Sequence, residues 1–384
     1  MRIGIVFLLA ACQALLQVPV NRLVQYDYEG NSFGSQVSSL NFLGSTFNNE
    51  QEVPLKLTFI HENSLTQEVL EATIALKPSA ILIILGKETR ISKEIQTFLG
   101  SNVFHFPIYF AEETEELMEV YRTLQSTGEQ TIDSDQLQFS VSSEEKPVIK
   151  NLQQENFYGF IDEFSENHPT IAVVTYLDSF SIIPELTSGA DSNASGLVIL
   201  LELIRLLKKI VSSQGPAAYN ILFLISSSGT TNFQGLKHWL SAEDQELQQI
   251  RGSISFALCL DTLGTTENIY MHTTRFQKEG EVDLSNLYLQ FNLTSEKMKV
   301  PLTYIKKKVN MADPFTPWQH ESFVKNKIVS ATLSRLETIR NSIVDHGNLQ
   351  DKKTTLEVVM RNIRLIGESL IKHVYGVNET VLDI

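Results

Sequence analysis

The chain has 384 residues, 42% of them hydrophobic, and a formal charge of −14. That length and apolar content can bury a substantial core, enough for two domains of about 100–200 residues each. The acidity excludes a general nucleic-acid binder or a basic membrane-surface protein, because phosphate-rich partners need clustered Lys and Arg.

At the start, "MRIGIVFLLAACQALLQ" sets Arg2 before an apolar run from Ile3 to Ala11. This is the pattern of a secretory signal peptide, here over residues 1–18; the other readings are a buried N-terminal strand or helix, or an uncleaved anchor. The run falls short of the roughly 20 residues a membrane span needs, and no later segment is long and apolar enough to span. Cys12 lies inside this leader, so the mature chain keeps Cys259 alone and has no internal disulfide framework. Sequons at Asn193, Asn292 and Asn378 make these residues glycosylation candidates and agree with a luminal route.

Within residues 19–150, "LKLTFI", "AILIIL" and "VFHFPIYF" read as strands and "SLTQEVLEATIALK" and "ETEELMEVYRTL" as helices. The alternation predicts a smaller N-terminal α/β domain. The polar stretch from Ser134 to Lys150 reads as a linker or edge region and puts the domain boundary nearby.

In residues 151–376, "IAVVT" (171–175), "NILFLIS" (220–226), "FALCL" (256–260) and "KIVSATL" (327–333) are apolar throughout, as strands covered on both faces must be. Between the first two lies "NASGLVILLELIRLLKKI", with Leu197, Leu200, Leu201, Ile204 and Leu207 at helical spacing and Lys208 and Lys209 suited to a helix C-terminus. Strand, loop, helix and strand in this order predict an α/β fold with a doubly wound, mostly parallel sheet, whose sites gather outside the C-terminal strand ends. "TTLEVVMRNIRLIGESLIKHVYG" closes the domain as a helix, and residues 377–384 form a tail.

"GADSNASG" after a strand and loop, then "AAYNILFLISSSGTTNFQGLKHWL" and "FALCLDTLG", resemble the co-catalytic zinc aminopeptidases and, within that superfamily, the non-catalytic nicastrin and nicalin group. "VQYDYEGNSFGSQ", "PIYFAEETEELMEVYR", "WQHESF" and "TLSRLETIRNSIVD" extend the likeness to nicalins, in the same order, over most of the chain. The resemblance implies a fold of zinc-aminopeptidase type. It also implies where two zinc ions would sit in an active relative, each needing nitrogen and carboxylate ligands, with a glutamate as general base.

Matched to that pattern, the first histidine falls on Tyr176, which departs from the usual nicalin residue too, while the aspartate after it survives as Asp178. The bridging carboxylate falls on Asp191. The paired glutamates fall on Gly229 and Thr230, a further ligand on Asp261, and the last histidine on Asn341. Neither metal position keeps three good ligands, since a phenol with a pKa of about 10 is a poor substitute for imidazole. The base, typically worth about 10²–10⁴-fold, is missing as well. Catalytic residues, bound metal and cofactors are therefore expected to be absent. The surviving acids take structural roles in this reading: Asp191 or Ser192 caps a helix starting near Asn193, and Asp261 ends a strand. His320 reads as a partly exposed polar residue, which together with Phe323 and Asp178 could line a relic pocket; a glycan on Asn193 would stand at its mouth. "SSSG" at 226–229 lacks the nucleophile elbow and the ending of a phosphate loop.

The resemblance implies a scaffold subunit on the luminal face of the endoplasmic reticulum, partnered by Nodal modulator and a small multi-spanning membrane protein. Such a complex assists multi-pass membrane protein biogenesis at the translocon, and the group is linked to antagonism of Nodal signalling. Membrane association would come through the complex or through a C-terminal helix beyond these residues. The competing expectations are a luminal or secreted zinc aminopeptidase with atypical ligands, and a module that binds peptide amino termini without cleaving them.

Overall fold

The computed structural model describes residues 3–8, 16–29, 31–34, 41–46, 55–87, 91–127, 138–142, 154–215, 217–274, 284–338, 349 and 351–377. The first half contains strands β1 (Ile3–Leu8), β2 (Leu16–Arg22), β3 (Gln25–Tyr26), β4 (Ser32–Phe33), β5 (Asn41–Thr46), β6 (Lys56–His61), β7 (Ala80–Leu85), β8 (Ile108–Glu112) and β9 (Gln138–Ser142). Its helices are α1 (Gln67–Ala75), α2 (Lys93–Ser101) and α3 (Glu115–Thr127).

The strands and helices expected here are present, but the sheet closes on itself as a barrel in the order β1-β2-β8-β7-β6-β5-β9. β5 to β8 run parallel, and antiparallel pairs through β2, β1 and β9 complete the ring. Two segments of the sequence take part in this closure. Within the polar stretch 134–150, residues 138–142 are a barrel strand rather than linker. Within the expected leader, Ile3–Leu8 pairs with both β2 and β9. Closure satisfies edge groups that a short open sheet would leave unpaired.

Leu57, Phe59, Leu82, Ile84, Tyr109 and Phe139 pack with Leu117 and Tyr121 of α3 in one core. Ile60, Ile81, Ile83 and Phe110 face the other way, against α1 and α2 and against Ile182, Ile183 and Leu349 of the second half. That shared apolar seam joins the halves, with Val24 N donating to Ile182 O at 3.1 Å.

The second half is a seven-stranded sheet in the order β10-β12-β11-β13-β16-β14-β15. Its strands are β10 (Phe157–Phe160), β11 (Thr170–Tyr176), β12 (Asn220–Ser226), β13 (Ile254–Leu260), β14 (Ile269–Thr273), β15 (Leu302–Lys306) and β16 (Ser330–Ser334). The helices are α4 (Gly196–Gln214), α5 (Gln234–Ser241), α6 (Gln245–Ser253), α7 (Ser285–Met298), α8 (Gln319–Lys325) and α9 (Leu356–Tyr375). β12, β11, β13 and β16 are mutually parallel, as their all-apolar sequences require. Alternate residues along β11 show the double winding. Ile171 and Val173 pack with α4, α7 and α9, whereas Ala172, Val174 and Tyr176 pack with α5, α6 and α8.

α4 is turned slightly from its expected face. Ile199, Leu200, Leu203, Leu206 and Leu207 are buried, while Leu201 is exposed. The helix also runs on to Gln214, so Lys208 and Lys209 precede its last turn. No helix among the described residues is long and apolar enough to cross a membrane.

Candidate functional site

Of the residues singled out by the sequence, Tyr176 ends β11, Asp178 and Asp191 lie on the segment that follows it, Gly229 and Thr230 follow β12, Asp261 follows β13, and His320 and Phe323 lie on α8. At the end of β11, Tyr176 is 0% exposed, and its ring packs edge-on against Phe233 at 5.8 Å. Its hydroxyl donates to Asp261 Oδ1 at 3.2 Å and lies 3.1 Å from Ser192 Oγ. The root of this side chain fills the space beside residue 229: a Cβ added to Gly229 would sit 2.2 Å from Tyr176 Cγ and 2.3 Å from its Cβ. A carboxylate-bearing side chain at 229 is therefore sterically incompatible with the side chain at 176 as it stands.

Asp178 points at the same loop. Its carboxylate accepts from the backbone N–H groups of Gly229 at 2.7 Å and Thr230 at 3.0 Å, and from the Thr230 hydroxyl. The aspartate that would orient an imidazole in an active relative here fastens the β12 loop to the β11 loop.

Asp191, 1% exposed, is fully engaged. Oδ1 accepts from Gly264 N at 2.7 Å and Ser195 Oγ at 3.0 Å; Oδ2 accepts from Thr265 Oγ1 at 2.8 Å and from Arg335 Nε in an ion pair. Gly264 is needed for this close approach, since a Cβ there would lie 3.1 Å from Asp191 Oδ1 and 2.9 Å from Ser195 Cβ. The backbone N–H groups of Asp191 and Ser192 each donate to the Asp351 carboxylate at 2.8 Å. Burial raises the Asp351 pKa, opposed by these two amides.

Several expectations change. Neither Asp191 nor Ser192 caps a helix: residues 190–195 form an irregular turn with non-helical dihedrals at Ser192 and Asn193, and α4 starts at Gly196 without a side-chain cap. Asp261 does follow the last residue of β13, and it receives the Tyr176 phenol.

Asn193 cannot carry a glycan in this fold. It is 1% exposed, its Nδ2 donates to Thr175 Oγ1 at 2.6 Å and Leu260 O at 3.0 Å, and its Oδ1 accepts from Thr262 N. Asn292 is exposed on α7. Asn341 and Asn378 lie outside the described residues.

His320 is only 3% exposed rather than partly exposed, with Nδ1 2.8 Å from Thr332 Oγ1. Burial, and secondarily His272, push its pKa down to about 3, so the ring is neutral. Phe323 lies in the apolar core with Tyr176 and Phe233 instead of lining an open cleft. The β3–β4 hairpin reaches over the same strand ends: Gln234 Nε2 donates to Tyr28 O at 2.6 Å, and the Tyr28 and Phe315 rings are 5.4 Å apart.

This donor set does not fit a co-catalytic zinc pair. Asp191, the carboxylate matched to the bridging position, already pairs with the Arg335 guanidinium, and a second cation there would be repelled. Positions 176, 229 and 230 offer a phenol, no side chain and a hydroxyl, none a good zinc ligand. Among the described residues, no group of three or more His, Cys, Asp or Glu is placed to hold a metal ion. Arg335 and Asp351, which decide the state of Asp191, had no sequence signal beyond an arginine directly after a buried strand.

The nicastrin large lobe family matches residues 169–356. The chain is 29% identical over 399 residues to the Mus musculus protein named BOS complex subunit NCLN, covering 97% of this chain and 70% of that one. It is 25% identical to the Caenorhabditis elegans protein named nicalin, over 94% and 69% of the two chains. Among solved structures, the zinc aminopeptidase BSAP from Bacillus subtilis is similar with a TM-score of 0.53 and 15% identity, covering 97% of this chain and 82% of that one, a likeness of fold alone. Residues 169–356 thus match the nicastrin large lobe family, and the chain is similar to nicalins over nearly its whole length.

Proposed function

We propose that this protein is a non-catalytic, peptidase-fold scaffold subunit of a membrane-associated complex of the kind its relatives are named for. One observation carries the reading: Arg335 is ion-paired to Asp191, the carboxylate through which both zinc ions would have to be held. The fixed guanidinium supplies there the positive charge that metal supplies in an active relative, with no open coordination position and no water to activate.

By the nicalin resemblance, the complex sits at the endoplasmic reticulum membrane with Nodal modulator and a small multi-spanning partner. It serves multi-pass membrane protein biogenesis beside the translocon, with the link to Nodal antagonism as a further consequence. Delivery to the lumen rests on the leader at residues 1–18, whose removal would take β1 out of the barrel. Digestion of the tagged chain by protease added to intact microsomes would sink that route.

The test of the scaffold is twofold. Purified protein should carry no stoichiometric zinc and hydrolyse no aminoacyl substrate, and the tagged protein in cells should sediment with membranes and bring down multi-spanning partners. Tightly held zinc with chelator-sensitive peptide turnover would establish an enzyme instead. Saturable peptide binding lost on changing Asp261 would establish a binding module.

A further inference from the structure

A cavity of about 520 Å³ lies between α5 and the segment that leads into β10, lined by Gln154, Gln234, Lys237, His238 and Ser241. All five are polar and none is acidic, in a chain whose net charge is −14. Neutral donors there are already engaged by the protein. Gln234 Nε2 donates to Tyr28 O at 2.6 Å, and Ser241 Oγ donates to His238 O at 3.2 Å. Lys237 differs from them.

Gly235, Leu236, Trp239 and Leu240 bury one face of α5, and the Lys237 side chain lies half-buried at its border. Among the described residues its ammonium has no hydrogen-bond acceptor and no carboxylate partner. The charge that does reach it has the same sign. Lys325, at the end of α8, is held in place by Nζ donating to Asp313 O at 2.9 Å and to Thr316 Oγ1 at 3.4 Å, both neutral acceptors. Glu321, the buried acid of α8, acts on Lys325 and Lys307 and not on Lys237. Desolvation and a neighbouring cation both disfavour the charged form of an amine. Burial first and Lys325 second accordingly lower the Lys237 pKa to about 8.

We propose that Lys237 is a covalent modification site, a nucleophilic amine that takes small aldehydes entering this cavity. The neutral nitrogen attacks the carbonyl carbon, and its proton passes to the carbonyl oxygen to give a carbinolamine. The hydroxyl then leaves with a proton as water and an imine forms, with no oxidant or reductant consumed. His238, lining the same cavity, is the group available to move that proton. The polar lining suits an aldehyde that carries hydroxyls, and the volume lies within the range of small-molecule pockets. At pH 7 about one Lys237 amine in ten is neutral, against about one in 2,500 for an ordinary lysine. Nucleophilicity falls as pKa falls, which offsets part of that difference and leaves roughly a tenfold advantage.

The test treats the whole protein with glyceraldehyde and cyanoborohydride, which reduces the imine to a stable secondary amine, and maps the labelled lysines over time by peptide mass spectrometry. At pH 7 Lys237 should be labelled about tenfold faster than Lys208 and Lys209, which are exposed on α4. That ratio should shrink as the pH rises from about 7 to about 10, because the exposed amines then become neutral too. Lys237→Arg keeps the charge and should remove the fast phase of labelling, leaving the other lysines and the thermal midpoint as they were. Labelling of Lys237 no faster than that of Lys208, or a ratio that does not change with pH, overturns the proposal.

Discussion

Tyr176 occupies the space that any side chain on residue 229 would need, with its Cγ 2.2 Å from where a Cβ on Gly229 would stand. The backbone therefore holds residues 176 and 229 so close that the Cβ and Cγ at 176 leave no room for a side chain on 229. Gly229→Ala should destabilise the protein by about 2–3 kcal/mol, the range for overpacking a rigid site. Gly252→Ala, in a helix with nothing within 4 Å of the added carbon, should be neutral or stabilise by up to about 1 kcal/mol. Urea titrations of the two variants check the contrast; equal effects would show that the ring at 176 gives way freely.

The pair of Asp191 and Arg335 joins residues 144 apart in sequence. Arg335→Met leaves a buried carboxylate without its cation and should cost about 3 kcal/mol, the low end for breaking a buried pair because the guanidinium is 32% exposed. Adding Asp191→Asn to that variant should recover part of the loss, since the uncompensated charge is then gone. A double-mutant cycle by denaturant unfolding measures the coupling, and strictly additive effects would remove the ion pair from the account.

His320 and Glu321 titrate against each other. His320 has its folded pKa lowered from 6.5 to about 3, by burial and then by His272, so the unfolded state binds the proton first. Its contribution is complete above about pH 6.5 and is lost as the pH falls toward 3. Relative to His320→Gln, the protein should lose up to about 1.4 kcal/mol per pH unit through that window. Glu321 is raised from 4.5 to about 7, by burial, against Lys325 and Lys307. Its contribution is present below 4.5 and lost as the pH rises through 7. Between 4.5 and 6.5 the two slopes nearly cancel, so Glu321→Gln should expose the histidine slope there. Stability curves measured at several pH values for the three proteins decide it.

Asn193 and Asn292 should behave differently in a glycosylating host. Asn292 is exposed, so Asn292→Gln should remove one enzyme-sensitive mobility shift on a gel. Asn193→Gln should leave that shift in place and lower the yield of folded protein, because its amide bridges Thr175, Leu260 and Thr262. A second shift lost with Asn193→Gln would contradict its burial.

Short all-apolar runs were enough to locate β11, β12, β13 and β16, because a strand buried on both faces has no polar residue to place and the signal is local. That Tyr176, Gly229 and Thr230 offer no good zinc donor was equally legible, since residue type alone sets donor chemistry. Barrel closure through β1, β2 and β9 was not legible, because those strands are antiparallel partners supplied by distant segments. The burial of His320 and Asn193 depended on which loops close over them. Whether Asp191 stood empty-handed or charge-matched was decided by Arg335 and Asp351, brought to it only when β16 and the approach to α9 fold beside the β11 loop. Charge compensation is a property of distance in space, and the chain acquires those distances only with its tertiary structure.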